Sequence, residues 1–174
     1  MSLPSCVQPE ISRPVAGVVR PGVRLSVDVG SARIGIAGSD PGGLLASPLA
    51  TVRRGAGDMA EVARLAADRQ AIEIIVGLPT GLSGKPGRAA GLARDFAEAL
   101  ASVVAPIPVR LVDERFTTVI AHSALREAGR DGRQRRGVID QAAAASLLQG
   151  ALDTERATGG APGEVVLATH GGGR

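Results

Sequence analysis

Aromatic residues are almost absent from this 174-residue chain: there is no Trp or Tyr, and Phe96 and Phe116 are the only two Phe. A core must therefore be built from Val, Ile, Leu and Ala, and without Tyr or Trp for bases to stack on, sequence-specific reading of single strands is not expected. One cysteine, Cys6, excludes an internal disulfide and a cysteine metal cage. It lies in a Pro- and Ser-containing leader, where it reads as an inert thiol, with a link between two chains under oxidation as the alternative. His122 and His170 have no partner at metal-ligand spacing. No stretch approaches the roughly 18 apolar residues of a membrane span, and no basic segment precedes a long apolar one at the N-terminus. These absences predict a soluble, cytoplasmic protein without membrane contact.

Lysine is nearly missing too. Lys85 stands alone among 20 basic residues, so the formal charge of +3 and the high isoelectric point rest on arginine. The planar guanidinium fork suits phosphate. The same bias accompanies abundant Ala and Gly, so composition leans only mildly toward nucleic acid.

What is present is organised around Leu25–Asp40, LSVDVGSARIGIAGSD. Residues 23–29 alternate as a strand, Gly30-Ser31 reads as a two-residue hairpin link, and Arg33–Ala37 returns as a second strand. Asp28 thus falls near the end of an interior strand, where a carboxylate is costly unless compensated. Two readings stay open there: an acceptor for the N–H groups of its own turn, or a metal ligand.

Residues 1–22 read as a flexible leader, 23–154 as one domain and 155–174 as a Gly-rich tail in which 165–167 could dock. Within the domain, residues 44–54 make a third strand, with Pro48 implying an edge position or a bulge. Asp58 opens a helix with Met59, Val62, Ala63 and Ala66 on one face, and 72–76 form a strand buried on both faces. A glycine-rich loop at 77–88 follows. A helix bearing Leu92, Phe96, Ala99 and Val103 on its inner face leads to a strand at 109–112. Thr117 or Thr118 caps a helix to about Ala128, residues 129–137 are polar and flexible, and a last helix spans about Ile139–Asp153 with Ala143, Ala144, Leu147, Leu148 and Ala151 inward. This order predicts an α/β fold: a five-stranded mixed sheet, a three-strand meander plus two parallel strands, with helices on both faces.

In that layout Asp28 ends the first strand, Glu114 follows the last, and Asp140 opens the last helix. Sites in such sheets gather at the carboxyl ends of strands. Singly, Glu114 reads as part of a surface charge cluster and Asp140 as a helix N-cap. Together the three carboxylates would make an all-oxygen site for Mg²⁺ or Mn²⁺, and a pair of such ions roughly 3.5–4 Å apart can activate water and stabilise the leaving oxygen of a phosphodiester. Asp113, alternating with Glu114, points to the opposite side. Arg126, Arg130, Arg133, Arg135 and Arg136 concentrate positive charge before Asp140, either as a solvated run or as contacts to a phosphate backbone. The 77–88 loop is not a P-loop, because Pro79 falls where its first Gly must be and Pro86 replaces the Ser or Thr. Lys85, Ser83 and Arg88 can still touch a backbone. Gly81-Leu82-Ser83-Gly84 lacks nucleophile-elbow spacing, which removes a serine hydrolase.

Four motifs in order carry a resemblance: Asp28-Val29-Gly30-Ser31-Ala32-Arg33-Ile34-Gly35 with Ser39-Asp40; Val76-Gly77-Leu78-Pro79 with Gly81 and Gly84; Asp113-Glu114-Arg115-Phe116-Thr117-Thr118; and Ile139-Asp140-Gln141-Ala142-Ala143-Ala144. Over residues 23–154 the chain resembles the YqgF/RuvX family, ribonuclease H-like proteins described as Holliday junction resolvases or pre-16S rRNA nucleases. The resemblance implies a ribonuclease H-like fold, catalytic and metal-binding roles for Asp28, Glu114 and Asp140, Mg²⁺ as cofactor, and structured RNA (pre-16S rRNA) or branched DNA as partner. Arg33, Lys85, Arg88 and the arginines at 126, 130, 133, 135 and 136 are the candidates for nucleic-acid contact. A monomer suits RNA trimming; symmetric junction cleavage needs two active sites and hence a homodimer. The competing readings are a non-catalytic nucleic-acid-binding module of the same fold and, because Asp28-x-Gly30 followed by Gly35 also resembles the first phosphate loop of actin-like kinases, a nucleotide-binding fragment, for which the chain is short.

Overall fold

The computed structural model describes residues 17–79, 87–113 and 133–168, with the backbone alone for 133–136. The elements are β1 (Arg24–Val29), β2 (Arg33–Ser39), β3 (Ala46–Arg53), α1 (Asp58–Asp68), β4 (Glu73–Leu78), α2 (Arg88–Val104), β5 (Val109–Asp113), α3 (Arg133–Thr158) and β6 (Glu164–Val166). They form a mixed sheet in the order β3-β2-β1-β4-β5-β6. β1, β2 and β3 run as an antiparallel meander, β1, β4 and β5 are parallel, and β6 returns antiparallel to β5. The sheet therefore has six strands rather than five. The sixth comes from the segment read as a tail, where Val165 and Val166 pair with Arg110 and Val109.

Strand alternation divides the sheet cleanly. Leu25, Val27, Ile34, Ile36, Ile74, Val76, Val109 and Leu111 meet α1 and α2 on one face. Ala37, Ile75 and Val112 meet α3 on the other, together with Ala144, Leu147, Leu148, Ala151 and Leu152. Each fully buried Leu on α3 contributes about 1.5–3 kcal/mol to docking the helix. β4 is buried on both faces, as its apolar run implies. Pro48 lies in the edge strand β3 and beside a register shift opposite Ile36/Ala37, so both of its predicted accommodations occur.

Three local expectations are corrected. The hairpin turns at Ser31-Ala32, one residue later than predicted: Val29 pairs with Ile34, and the Gly30 N–H donates to the Arg33 carbonyl over 2.9 Å. Gly30 is needed for that closure, since a Cβ there would lie 2.7 Å from the same carbonyl oxygen. On α2 the inner face is Ala90, Ala93, Phe96, Ala97, Leu100, Ala101 and Val104, while Leu92 and Val103 are about half exposed. Phe96 is buried as expected, but small alanines make up most of the rest of that face, and the larger Leu92 and Val103 lie beside it rather than on it. The last helix begins at Arg133, so part of the segment read as flexible is helical, and Asp140 lies two turns inside rather than at the N-cap. The helix predicted for residues 117–128 lies outside the described residues.

Candidate active site at the carboxyl end of the first strand

Asp28 is half-buried on the α3 face of β1, two residues beyond Ser26. Two contacts set α3 over this strand. The Ser26 hydroxyl donates to the Ala144 carbonyl at 2.6 Å, anchoring the helix one turn past Asp140. Gly35, the cross-strand partner of Asp28, lies directly beneath Asp140: a Cβ on Gly35 would sit 1.9 Å from the Asp140 carbonyl oxygen. The spacings agree. Two strand residues advance about 6.6 Å and four helical residues about 6 Å, so stepping from Ser26 to Asp28 matches stepping back from Ala144 to Asp140. Antiparallel packing of α3 on β1 thus brings Asp28 and Asp140, 112 positions apart in sequence, to the same end of the sheet.

Arg33 completes the cluster. Its Nε donates to Asp140 Oδ2 at 2.7 Å, with both side chains about 30% exposed. A charge-assisted bond of this length fixes the carboxylate's direction. From the edge strand, the Thr51 hydroxyl donates to the Gly137 carbonyl and accepts from Gln141 Nε2, each at 2.9 Å, tying the first turns of α3 to β3. Arg33 and Thr51 line, with Ala32 and Arg53, an open groove of about 450 Å³.

The other candidates fall as follows. Glu114, Lys85, Arg126 and Arg130, like Cys6, Ser83, His122 and His170, lie outside the described residues. Arg88 is exposed at the first position of α2, the helix on the opposite face. Arg133, Arg135 and Arg136 fall within the first four positions of α3, whose first turn carries no acid. β5 ends at Asp113, which alternation places on the α1–α2 face with Val109 and Leu111. Among the described residues no group of three His, Cys, Asp or Glu side chains is placed to hold a metal ion. Asp28 and Asp140 supply carboxylate oxygens only, a donor chemistry that suits a hard divalent cation.

Sequence reading missed Ser26, Thr51, Arg53 and Gln141. Ser26 was findable, being on the face of Asp28 by alternation; the others became visible only once α3 was laid across β2 and β3.

At the opposite end of the sheet lies a buried ionic cluster. Arg24, Glu73 and Glu155 are at most 2% exposed. Arg20 bridges Glu155 at 2.8 Å and Glu73 at 2.8 Å, Arg24 reaches Glu155 at 3.1 Å, and Arg110 reaches Glu73 at 2.6 Å. Burial acts to push the Glu155 carboxyl up, but hydrogen bonds from Arg20 and the charge of Arg24 outweigh it and hold the group below its ordinary value. The Arg20 guanidinium is correspondingly raised, chiefly by its hydrogen bond to Glu155. This cluster joins the chain entering β1 to β4, β5 and the end of α3, and so holds the helix that carries Asp140.

Comparison with known proteins bears on the family and the fold. A protein 57% identical over 156 residues, from a Nocardioides species, is named a candidate pre-16S rRNA nuclease; the match covers 87% of this chain and all of the relative. One from Thermobifida fusca, 58% identical over 158 residues and covering 87% and 99%, bears the same name. Among solved structures, Thermus thermophilus RuvC in complex with a Holliday junction substrate shares the fold, with a TM-score of 0.52 at 14% identity over 81% of this chain and 99% of that one. The sheet order and the α3 crossing are thus those of a ribonuclease H-like domain. The family model described as "RuvX: Holliday junction resolvase" matches residues 22–154, and the chain belongs to that family.

Proposed function

We propose that this protein is a Mg²⁺-dependent endonuclease that hydrolyses phosphodiester bonds in structured nucleic acid, with Asp28, Glu114 and Asp140 as its catalytic, metal-holding acids. The observation that carries the reading is the convergence of Asp28 and Asp140 through Gly35, beside an arginine that orients one of the two. Bound there, a divalent ion would neutralise phosphate charge and lower the pKa of an attacking water. The residues themselves position and screen. Arg33 holds the Asp140 carboxylate in one direction, Gly35 lets the helix backbone come close enough to place it, and Thr51 and Gln141 keep α3 from sliding along β3. The arginines at 126, 130, 133, 135 and 136 would offer a polyanion compensating positive charge.

The substrate we favour is the 16S rRNA precursor, at its 5′ end as the family resemblance implies, because action on pre-16S rRNA is in the names of relatives 57% and 58% identical along nearly their whole length. A four-way DNA junction is the second substrate, favoured by the description of the family model. Without Trp or Tyr, recognition by shape suits either.

The test is a cleavage assay on a 16S precursor fragment and a four-way junction, with Mg²⁺ and with EDTA, comparing the wild type with Asp28→Asn. Mg²⁺-dependent cutting of one substrate, lost in the variant, is expected. Cleavage of neither, or cleavage indifferent to EDTA, overturns the proposal. A protein that binds these substrates yet never cuts them is instead a binding module.

A further inference from the structure

We propose that Arg53, paired with Arg33, grips backbone phosphates of the substrate, so that the strand ends of β2 and β3 form part of its path. This rests on the nucleic-acid reading above and adds a contact to it. Arg33 and Arg53 are direct cross-strand partners. Alternation puts both on the α3 face, because Gly35 and Thr51, the next residues on that face, both meet α3. Like charges directly opposite one another weaken a strand pair, so the arrangement has no folding rationale of its own. Asp140 compensates Arg33 alone; among the described residues no side chain or carbonyl hydrogen-bonds or ion-pairs with the Arg53 guanidinium.

The groove between them is open and, at about 450 Å³, has room for a backbone phosphate. Thr51 is spent, its hydroxyl already donating to Gly137 and accepting from Gln141, and Ala32 offers no polar side chain. Among the described residues that leaves two guanidinium groups. The Asp140 contact uses only the Nε of Arg33, and a guanidinium carries five N–H donors in a fork that matches the two free oxygens of a phosphodiester. Because Arg33 also touches Asp140, a phosphate held by the pair lies close to the acids, within a short run of the bond to be cut.

The experiment measures binding of a labelled 16S precursor fragment and a labelled four-way junction in EDTA, at 50 and 200 mM salt, for wild type, Arg53→Gln, Arg53→Lys and Arg64→Gln. One lost phosphate contact flattens the salt dependence on a duplex by about one ion, so Arg53→Gln should lose about 3.5-fold less affinity across that salt range than the wild type does. Arg53→Lys should restore the wild-type slope. Arg64→Gln, altering an arginine on α1 that is paired with Glu61 and Asp68, should match the wild type. Arg53 is exposed, so its variants should unfold at the wild-type temperature; Arg53→Glu, with a larger slope change, serves should Arg53→Gln not fold. A wild-type slope in Arg53→Gln overturns the proposal even if the enzyme cuts. A flattened slope in a protein that never cuts upholds it and overturns the nuclease. Inorganic phosphate binding with nucleic-acid affinity unchanged in the variant, or no nucleic-acid binding by the wild type, also overturns it.

Discussion

Gly35 and Asp140 meet backbone to backbone: a Cβ built on Gly35 would fall 1.9 Å from the Asp140 carbonyl oxygen and 2.3 Å from its carbonyl carbon. Neither atom is the end of a flexible side chain, so nothing local can yield. Gly35→Ala must lift α3 from β2. We expect a loss of about 1–3 kcal/mol in chemical denaturation, the range of overpacking changes, together with a loss of cleavage out of proportion to the unfolded fraction. Wild-type stability in the variant would mean that α3 does not rest on β2.

Arg33 acts on Asp140 through one bond from its Nε. Arg33→Ala should lower the rate by about 10–100-fold, as removal of groups that orient metal ligands does, and Arg33→Lys should recover little because an ammonium lacks the guanidinium's rigid fork. The Mg²⁺ concentration for half-maximal rate should rise with it. An unchanged Mg²⁺ requirement would assign Arg33 to substrate contact alone.

Divalent ions should stabilise the fold itself. A ligand at ten times its Kd adds about 1.4 kcal/mol, which for a chain of this size raises Tm by roughly 3–6 °C. The wild type should show that rise with Mg²⁺ and lose it with EDTA, while Asp28→Asn shows less of either. Equal shifts in both proteins would place the ion elsewhere.

Glu155 faces the guanidinium groups of Arg20 and Arg24 at the far end of α3. Glu155→Gln leaves the fully buried Arg24 without that counter-charge and should cost about 3–5 kcal/mol in denaturant unfolding. The pH dependence follows from the direction of its shift. The folded-state value lies below the ordinary 4.5, so the contribution is complete above 4.5 and is lost as pH falls through the folded value. Stability of the wild type measured from pH 6 down to pH 2 should therefore fall more steeply than that of the variant. Parallel curves would remove Glu155 from the account.

Much of the fold is legible in the amino-acid order because each strand advertises itself locally. Branched residues alternate through β1 and β2, β4 carries a compact apolar run from Ile74 to Val76, and Pro48 marks an edge or bulge. Legibility fails where local signal is weak or misleading. The buried face of α2 is mostly alanine around Phe96, so the larger Leu92 and Val103 read as inward although they are about half exposed. The arginines at 133, 135 and 136 look like loop, yet they are helical because the apolar face of α3 from Ala144 to Leu152 docks the whole element on the sheet. β6 is three residues long and exists only because β5 offers an edge to pair with.

The amino-acid order by itself determined the layered α/β class, the hairpin that presents Asp28, and the likeness of four short motifs to one family, since these depend on periodicity and turn chemistry within a few residues. Only the tertiary structure decided that Asp140 stands over Gly35 inside a helix, that Arg33 reaches it, and that Arg53 faces Arg33 across the strands. Those relations join residues up to 107 positions apart, and they come from how one helix packs against a twisted sheet, which no local pattern encodes.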